Sequence, residues 1–173
     1  MEFTRNKISE SFLLKPNLIN DKRGCFRRTF CNKYYKEIGL PFEIRQSNIS
    51  ENPHKATLRG FHWQDNSEGK LLTVITGEIF DVLADVRQDS PTYMKWESFR
   101  LSAKDGFVLY IPPKCANAWI TTQENTIINY FHSDYYNPKF EKGMRYDDQA
   151  FNVKWPLKPQ MISIKDLSHP NFI

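Results

Sequence analysis

The chain is expected to fold as an all-β protein, a β-sandwich or jelly roll whose concave interior can hold a ligand. Three observations lead there. From about residue 42 to residue 133, short runs with period-two apolar alternation succeed one another, separated by turn residues and without an intervening helical segment. Phe, Trp and Tyr supply 14% of the residues while glycine supplies only seven, so the interior should be built from rings and β-branched side chains. At 173 residues the chain suits one domain, spanning residues 1–173, that buries a substantial core without staples.

Taken in order, residues 12–18 and 26–30 read as short strands around a polar turn of Asn20, Asp21, Lys22, Arg23 and Gly24. This arm gathers Arg23, Arg27 and Arg28. Residues 31–39 read as a short helix with Tyr34, Tyr35 and Ile38 on one side, stopped by Gly39 and Pro41, and are expected to cover the core instead of forming it. The clearest hairpin is KLLTVITGEIFDVLADVR, residues 70–87, with Gly77 permitting the reversal. In its second run Ile79, Asp81, Leu83 and Asp85 share one face, which leaves Asp81 as a carboxylate in apolar company and in need of a partner. Further strands are expected at 96–101, 107–111, 119–122 and 126–132; in the last, Ile128, Tyr130 and His132 share a face. Beyond residue 137 the chain is proline-interrupted and irregular, with no repeat or linker.

The formal charge of +4 is dispersed along the chain, which suits a few anionic contacts and argues against a nucleic-acid-tracking surface. Three cysteines without CxxC spacing make no disulfide framework and fit a reducing compartment. Residues 1–14 contain no apolar leader core, and no run approaches the roughly 18 apolar residues of a membrane span. The expectation is a soluble, cytoplasmic protein with neither nucleic acid nor membrane as partner.

The chemistry is expected to centre on TLRGFHWQ, residues 57–64, which sets Arg59, Gly60 and His62 within four positions. Strand alternation points Arg59 away from His62 unless Gly60 introduces a bulge. By themselves these residues suit either a core histidine or an active-site strand. Residues 106–117 resemble the second metal-binding motif of cupin jelly rolls, but Lys114 stands for its glycine and Asn117 for its ligand histidine. Gln64 stands where the first motif has a second histidine, and His54, His132 and His169 show no ligand spacing with His62, so no metal or other cofactor is expected. No G-x-S-x-G elbow and no phosphate-cradling glycine loop is present. What remains is acid and base chemistry by His62, with Tyr130, Lys70 and a carboxylate as candidate partners.

Over nearly its whole length the chain resembles the nucleotide-sugar 3,5-epimerases typified by dTDP-4-dehydrorhamnose 3,5-epimerase, of the cupin superfamily. The resemblance is carried, in order, by DKRGCF (21–26), QSN (46–48), TLRGFHWQ, Gly69 with Lys70, GEIFDVLADVR with SPTY, IPP, NYFHSDYYNP (129–138), Trp155 with Pro156, and SIKD (163–166). It implies a cupin-type jelly roll of two packed antiparallel sheets with a few short peripheral helices. It also implies roles: His62 as the base beside the ketone, Asp166 orienting it, Lys70 stabilising the enolate oxygen, and Tyr130 returning a proton on the opposite side of the sugar. Asp81 is the substitute partner for His62. Arg23 and Arg59 suit diphosphate contacts, Phe26 and Tyr135 suit packing on the base, and Gln46, Asn48, Tyr136, Asn117 and Lys165 fall at substrate-side positions. The family's homodimers imply a second copy as partner, with the N-terminal arm, Phe26 and Arg28 included, completing the partner's nucleotide site.

Two departures shape the expected specificity. Asn117 stands in ANAW where the rhamnose-pathway enzymes resemble one another in a histidine, which calls simultaneous inversion at carbons 3 and 5 into question. Arg28 stands where thymidine-specific enzymes have an acid, and a guanidinium can only donate hydrogen bonds. The expected substrate is therefore a CDP-linked 3,6-dideoxy 4-keto sugar inverted at carbon 5. A dTDP-4-dehydrorhamnose 3,5-epimerase, a 3,4-ketoisomerase and a non-catalytic nucleotide-sugar-binding cupin are the alternatives.

Overall fold

A computed structural model describes residues 2–40 and 42–172. Its strands are β1 (Glu2–Arg5), β2 (Phe12–Lys15), β3 (Leu18–Asp21), β4 (Gly24–Arg27), β5 (Gln46–Asn52), β6 (Leu58–Gln64), β7 (Lys70–Thr76), β8 (Glu78–Asp85), β9 (Trp96–Ser102), β10 (Val108–Ile111), β11 (Cys115–Thr121), β12 (Thr126–His132) and β13 (Glu141–Gly143). Two short helices, α1 (Asn32–Glu37) and α2 (Ile164–Ser168), lie at the periphery. One antiparallel sheet has the order β1-β2-β10-β7-β12-β5 and the other β13-β6-β11-β8-β9, while β3 and β4 pair only with each other. The fold is a cupin-type jelly roll.

Period-two alternation explains the layering. Leu72, Val74, Leu109 and Ile128 of the first sheet meet Ile79, Leu83, Leu101 and Trp119 of the second in one buried cluster between the sheets. Each such fully buried aliphatic side chain contributes about 1.5–3 kcal/mol relative to exposure. The alternate positions point outward. Leu71 and Val108 join Phe12, Leu14 and Phe42 beneath α1, and Val82, Ala84, Ala116 and Ala118 are covered by Met144 and Phe151 of the C-terminal segment.

Residues 70–87 do not form the expected hairpin. β7 pairs with β10 and β12, whereas β8 pairs with β11 and β9, so the turn at Gly77 carries the chain from one sheet to the other. Both runs bury one face in the shared interior, and a crossing between layers satisfies that pattern as well as a turn within a sheet. Gly77 has φ +78°, and a Cβ there would lie 2.3 Å from Thr126 Oγ1. The helical segment is also more than a cover, since Tyr35 is fully buried within the cluster under the first sheet. Gly39, at φ +76°, ends the helix as expected; Pro41 lies outside the described residues.

The loop after β8 is fastened by Asp85. This buried carboxylate accepts hydrogen bonds from the Arg87 guanidinium and from the hydroxyls of Ser90 and Thr92. Burial alone would raise its pKa, but these bonds outweigh it and bring the carboxyl down to about 2.

Candidate active site

The inward-facing positions of the sandwich change character along their strands. Toward one end of the interior, apolar Leu72, Ile128 and Leu83 give way to Lys70 on β7, Tyr130 and His132 on β12, Asn117 and Trp119 on β11, and Arg59 and His62 on β6. Together with Asn48 and Ser50 of β5 they line a cavity of about 240 Å³. A second cavity of about 180 Å³ shares Asn48, His62, Lys70 and His132, and adds Gln46, Glu68, Tyr136 and Glu141. A separate cavity of about 780 Å³ beside Arg87 and Lys114 includes none of these groups and meets the second cavity only at Trp63.

Arg59 and His62 reach the same cavity because β6 is bulged. Its pairing with β11 runs Trp119 to Arg59 and Asn117 to His62, so one residue on β11 spans two on β6. Gly60 permits this: its φ is +107°, and a Cβ would lie 2.5 Å from the Asn117 carbonyl oxygen. The alternation rule alone would have turned the two side chains apart.

His62 is held from the C-terminal segment. Leu58 N–H donates to the Met161 carbonyl at 2.9 Å, which lays that segment beside the start of β6. Ser163 then caps α2 by accepting from Asp166 N–H at 3.0 Å. From α2, Asp166 Oδ1 lies 2.7 Å from His62 Nε2, and Oδ2 accepts from Gly60 N–H at 3.2 Å. Asp166 is 3% exposed; burial would raise its pKa, but the His62 and Gly60 bonds hold it below the usual carboxylate value. With Nε2–H donating to that carboxylate, the lone pair of the neutral ring is on Nδ1. Asp81, the substitute partner, is instead fully buried and bound twice by the Asn117 amide, at 3.0 and 2.9 Å. Burial lifts its pKa to about 7, with the Asn117 bond opposing the rise.

Tyr130 O accepts a short hydrogen bond from Trp119 Nε1, which leaves the phenolic O–H to donate elsewhere. Burial raises the Tyr130 pKa well above the usual phenol value, and the Trp119 bond works against the rise. Lys70 Nζ lies 3.6 Å from Glu68 Oε2 with its side chain 15% exposed. A histidine paired with a carboxylate, a cation and a neutral phenol thus line one cavity, the parts needed to remove a proton, stabilise the resulting anion and return a proton.

Gln46, Asn48, Arg59, Asn117 and Tyr136 also line one or both of these cavities. Arg23 does not: it pairs with Asp21 at 2.6 Å on the exposed arm. Phe26 is 66% exposed there, and Phe26 and Arg28 line a separate arm cavity of about 260 Å³. Tyr135 is 62% exposed and lines neither cavity. Lys165 is held by Glu141 at 2.6 Å, outside both. Glu68, His132, Trp119 and Glu141 were missed. His132 carried a legible signal, since it shares the Tyr130 face of β12; Glu68 sits two positions before Lys70. Among the described residues His62, Asp166 and His169 also bring three possible metal-ligand atoms within 4.8 Å of one another. The hydrogen bond between His62 and Asp166 engages two of those three groups, and the His169 ring is packed against Gly143.

The model of the dTDP-4-dehydrorhamnose 3,5-epimerase family matches residues 5–173. A dTDP-4-dehydrorhamnose 3,5-epimerase of Neisseria gonorrhoeae is 37% identical over 97% of this chain, which spans about half, 52%, of that relative's length. The Bacillus anthracis enzyme of that name, solved with TDP and PPi bound, superposes with a TM-score of 0.95 at 31% identity, covering 98% of each chain. A Legionella pneumophila dTDP-6-deoxy-D-glucose-3,5-epimerase, solved with dTDP-4-keto-L-rhamnose, gives 0.93 at 32% identity over 99% of this chain and 92% of its own. From β1 to the tail beyond α2, the chain belongs to the dTDP-4-dehydrorhamnose 3,5-epimerase family of cupin-type sugar epimerases.

Proposed function

We propose that the protein inverts carbons 3 and 5 of a dTDP-linked 4-keto-6-deoxyhexose. The observation that carries this reading is the convergence of the His62–Asp166 pair, Lys70 and Tyr130 on one cavity of about 240 Å³. The ketone at carbon 4 acidifies both neighbouring carbons. His62 Nδ1 takes the proton from one of them, and the C–H electron pair moves into the carbon–carbon bond while the carbonyl π pair goes to oxygen. Lys70 stabilises that enolate oxygen. Tyr130 O–H then delivers a proton to the carbon from the opposite face, inverting it, and the Trp119 N–H stabilises the phenolate left behind.

The expected CDP preference gives way to dTDP, since the full-length structural relatives are named for dTDP sugars. Asn117 itself offers a sugar no free amide N–H, because Asp81 and the Val82 carbonyl take them. The arm's exposed Ile19 and Phe26, 60% and 66%, support a second copy of the chain as partner. Titration of dTDP against CDP tests the nucleotide assignment: tighter dTDP binding is expected, and tighter CDP binding contradicts it.

A further inference from the structure

The Lys70 cation has a buried support on its far side. Glu68, whose side chain is 3% exposed, sends its two oxygens to different groups. Oε1 accepts from His132 Nδ1–H at 2.8 Å, and Oε2 lies 3.6 Å from Lys70 Nζ with no hydrogen bond among the described residues. The other ring nitrogen, His132 Nε2, lies 3.2 Å from the Asn48 side-chain amide nitrogen. The chain Lys70, Glu68, His132, Asn48 therefore runs from β7 through β12 to β5, and all four residues line the second cavity.

We propose that Glu68 is a positioning residue for Lys70, holding the ammonium in the cavity while His132 fixes the carboxylate that does so. At 3.6 Å the pair attracts through charge but lies beyond hydrogen-bond range, so among the described residues this pairing takes up none of the Lys70 N–H groups, which stay available for an oxygen of the ligand. A carboxylate buried this deeply persists as an ion only with such partners. Burial would raise its pKa, but the His132 bond and the Lys70 charge hold it below the ordinary glutamate value.

The inference rests on the epimerase reading, and the test separates the two. In a double-mutant cycle, Glu68→Gln is expected to lower kcat about 10²-fold, the scale of a catalytic group misplaced by about 1 Å, with the nucleotide KM within about twofold. In the Lys70→Met background Glu68→Gln should cost little more, because the carboxylate acts through the ammonium. Additive losses would overturn the proposal and mark Glu68 as structural, as would normal turnover by Glu68→Gln. Should Glu68→Gln fold poorly, Glu68→Asp takes its place, with recovery of part of kcat expected. Independently of turnover, the Lys70 Cε–Nζ NMR correlation, assigned by its loss in Lys70→Met, should move in Glu68→Gln; an unmoved signal contradicts the proposal even if no sugar is processed. Failure of the wild-type protein to process a 4-keto sugar, with that signal moved, refutes the epimerase reading alone.

Discussion

Asp166 Oδ1 lies 2.7 Å from His62 Nε2, and its other oxygen binds the Gly60 N–H two residues before that histidine. One carboxylate on α2 therefore fixes both the imidazole and the bulge that aims it. Replacement by asparagine keeps the shape and removes the charge and the fixed tautomer. Asp166→Asn is expected to lower kcat about 10³-fold with a small change in KM, read by steady-state kinetics.

Tyr130→Phe separates proton removal from inversion. Without the phenol, His62 can return a proton only to the face from which it came. Deuterium wash-in from solvent should persist while the rate of inversion falls at least about 10²-fold, as product stereochemistry by NMR would reveal.

Gly60→Ala strikes the same site through the backbone. A Cβ 2.5 Å from the Asn117 carbonyl oxygen and 2.7 Å from Ala118 Cα cannot be accommodated without moving β11 against β6. A loss of about 2–4 kcal/mol is expected in urea unfolding, together with loss of activity, since Arg59 and His62 would no longer share a face.

Asp85 supplies a pH-dependent part of the stability. Its folded pKa, lowered to about 2 chiefly by Arg87, Ser90 and Thr92 against the effect of burial, lies below the unfolded value of 3.8. The unfolded state therefore binds the proton first as pH falls. The stabilisation, about 2 kcal/mol, is complete above about pH 5 and is lost as pH drops through 3.8 toward 2. Asp85→Asn should lower unfolding free energy at pH 7 and flatten its decline between pH 5 and pH 2.

The sandwich was legible because period-two alternation writes the buried face of each strand directly into the sequence. The bulge was legible as a condition, since a glycine between Arg59 and His62 is what the pair would need to share a face. The sheet change at Gly77 was not, because an alternating run records which side is buried and not which strand lies beside it. The Glu68–His132 pair escaped for a related reason: 64 positions separate its members, and only the β7–β12 register, with His132 opposite Lys70, brings them together. The arm residues Arg23, Phe26 and Arg28, expected on an arm that serves a second copy, line neither cavity within one chain.

The most direct measurement is incubation of the protein with dTDP-linked 4-keto-6-deoxy-D-glucose in deuterated water, followed by NMR. Deuterium at carbons 3 and 5 with inversion at both, abolished in His62→Ala, is the expected result. Exchange retained in His62→Ala, or no incorporation by the wild-type protein, would contradict a His62-based epimerase.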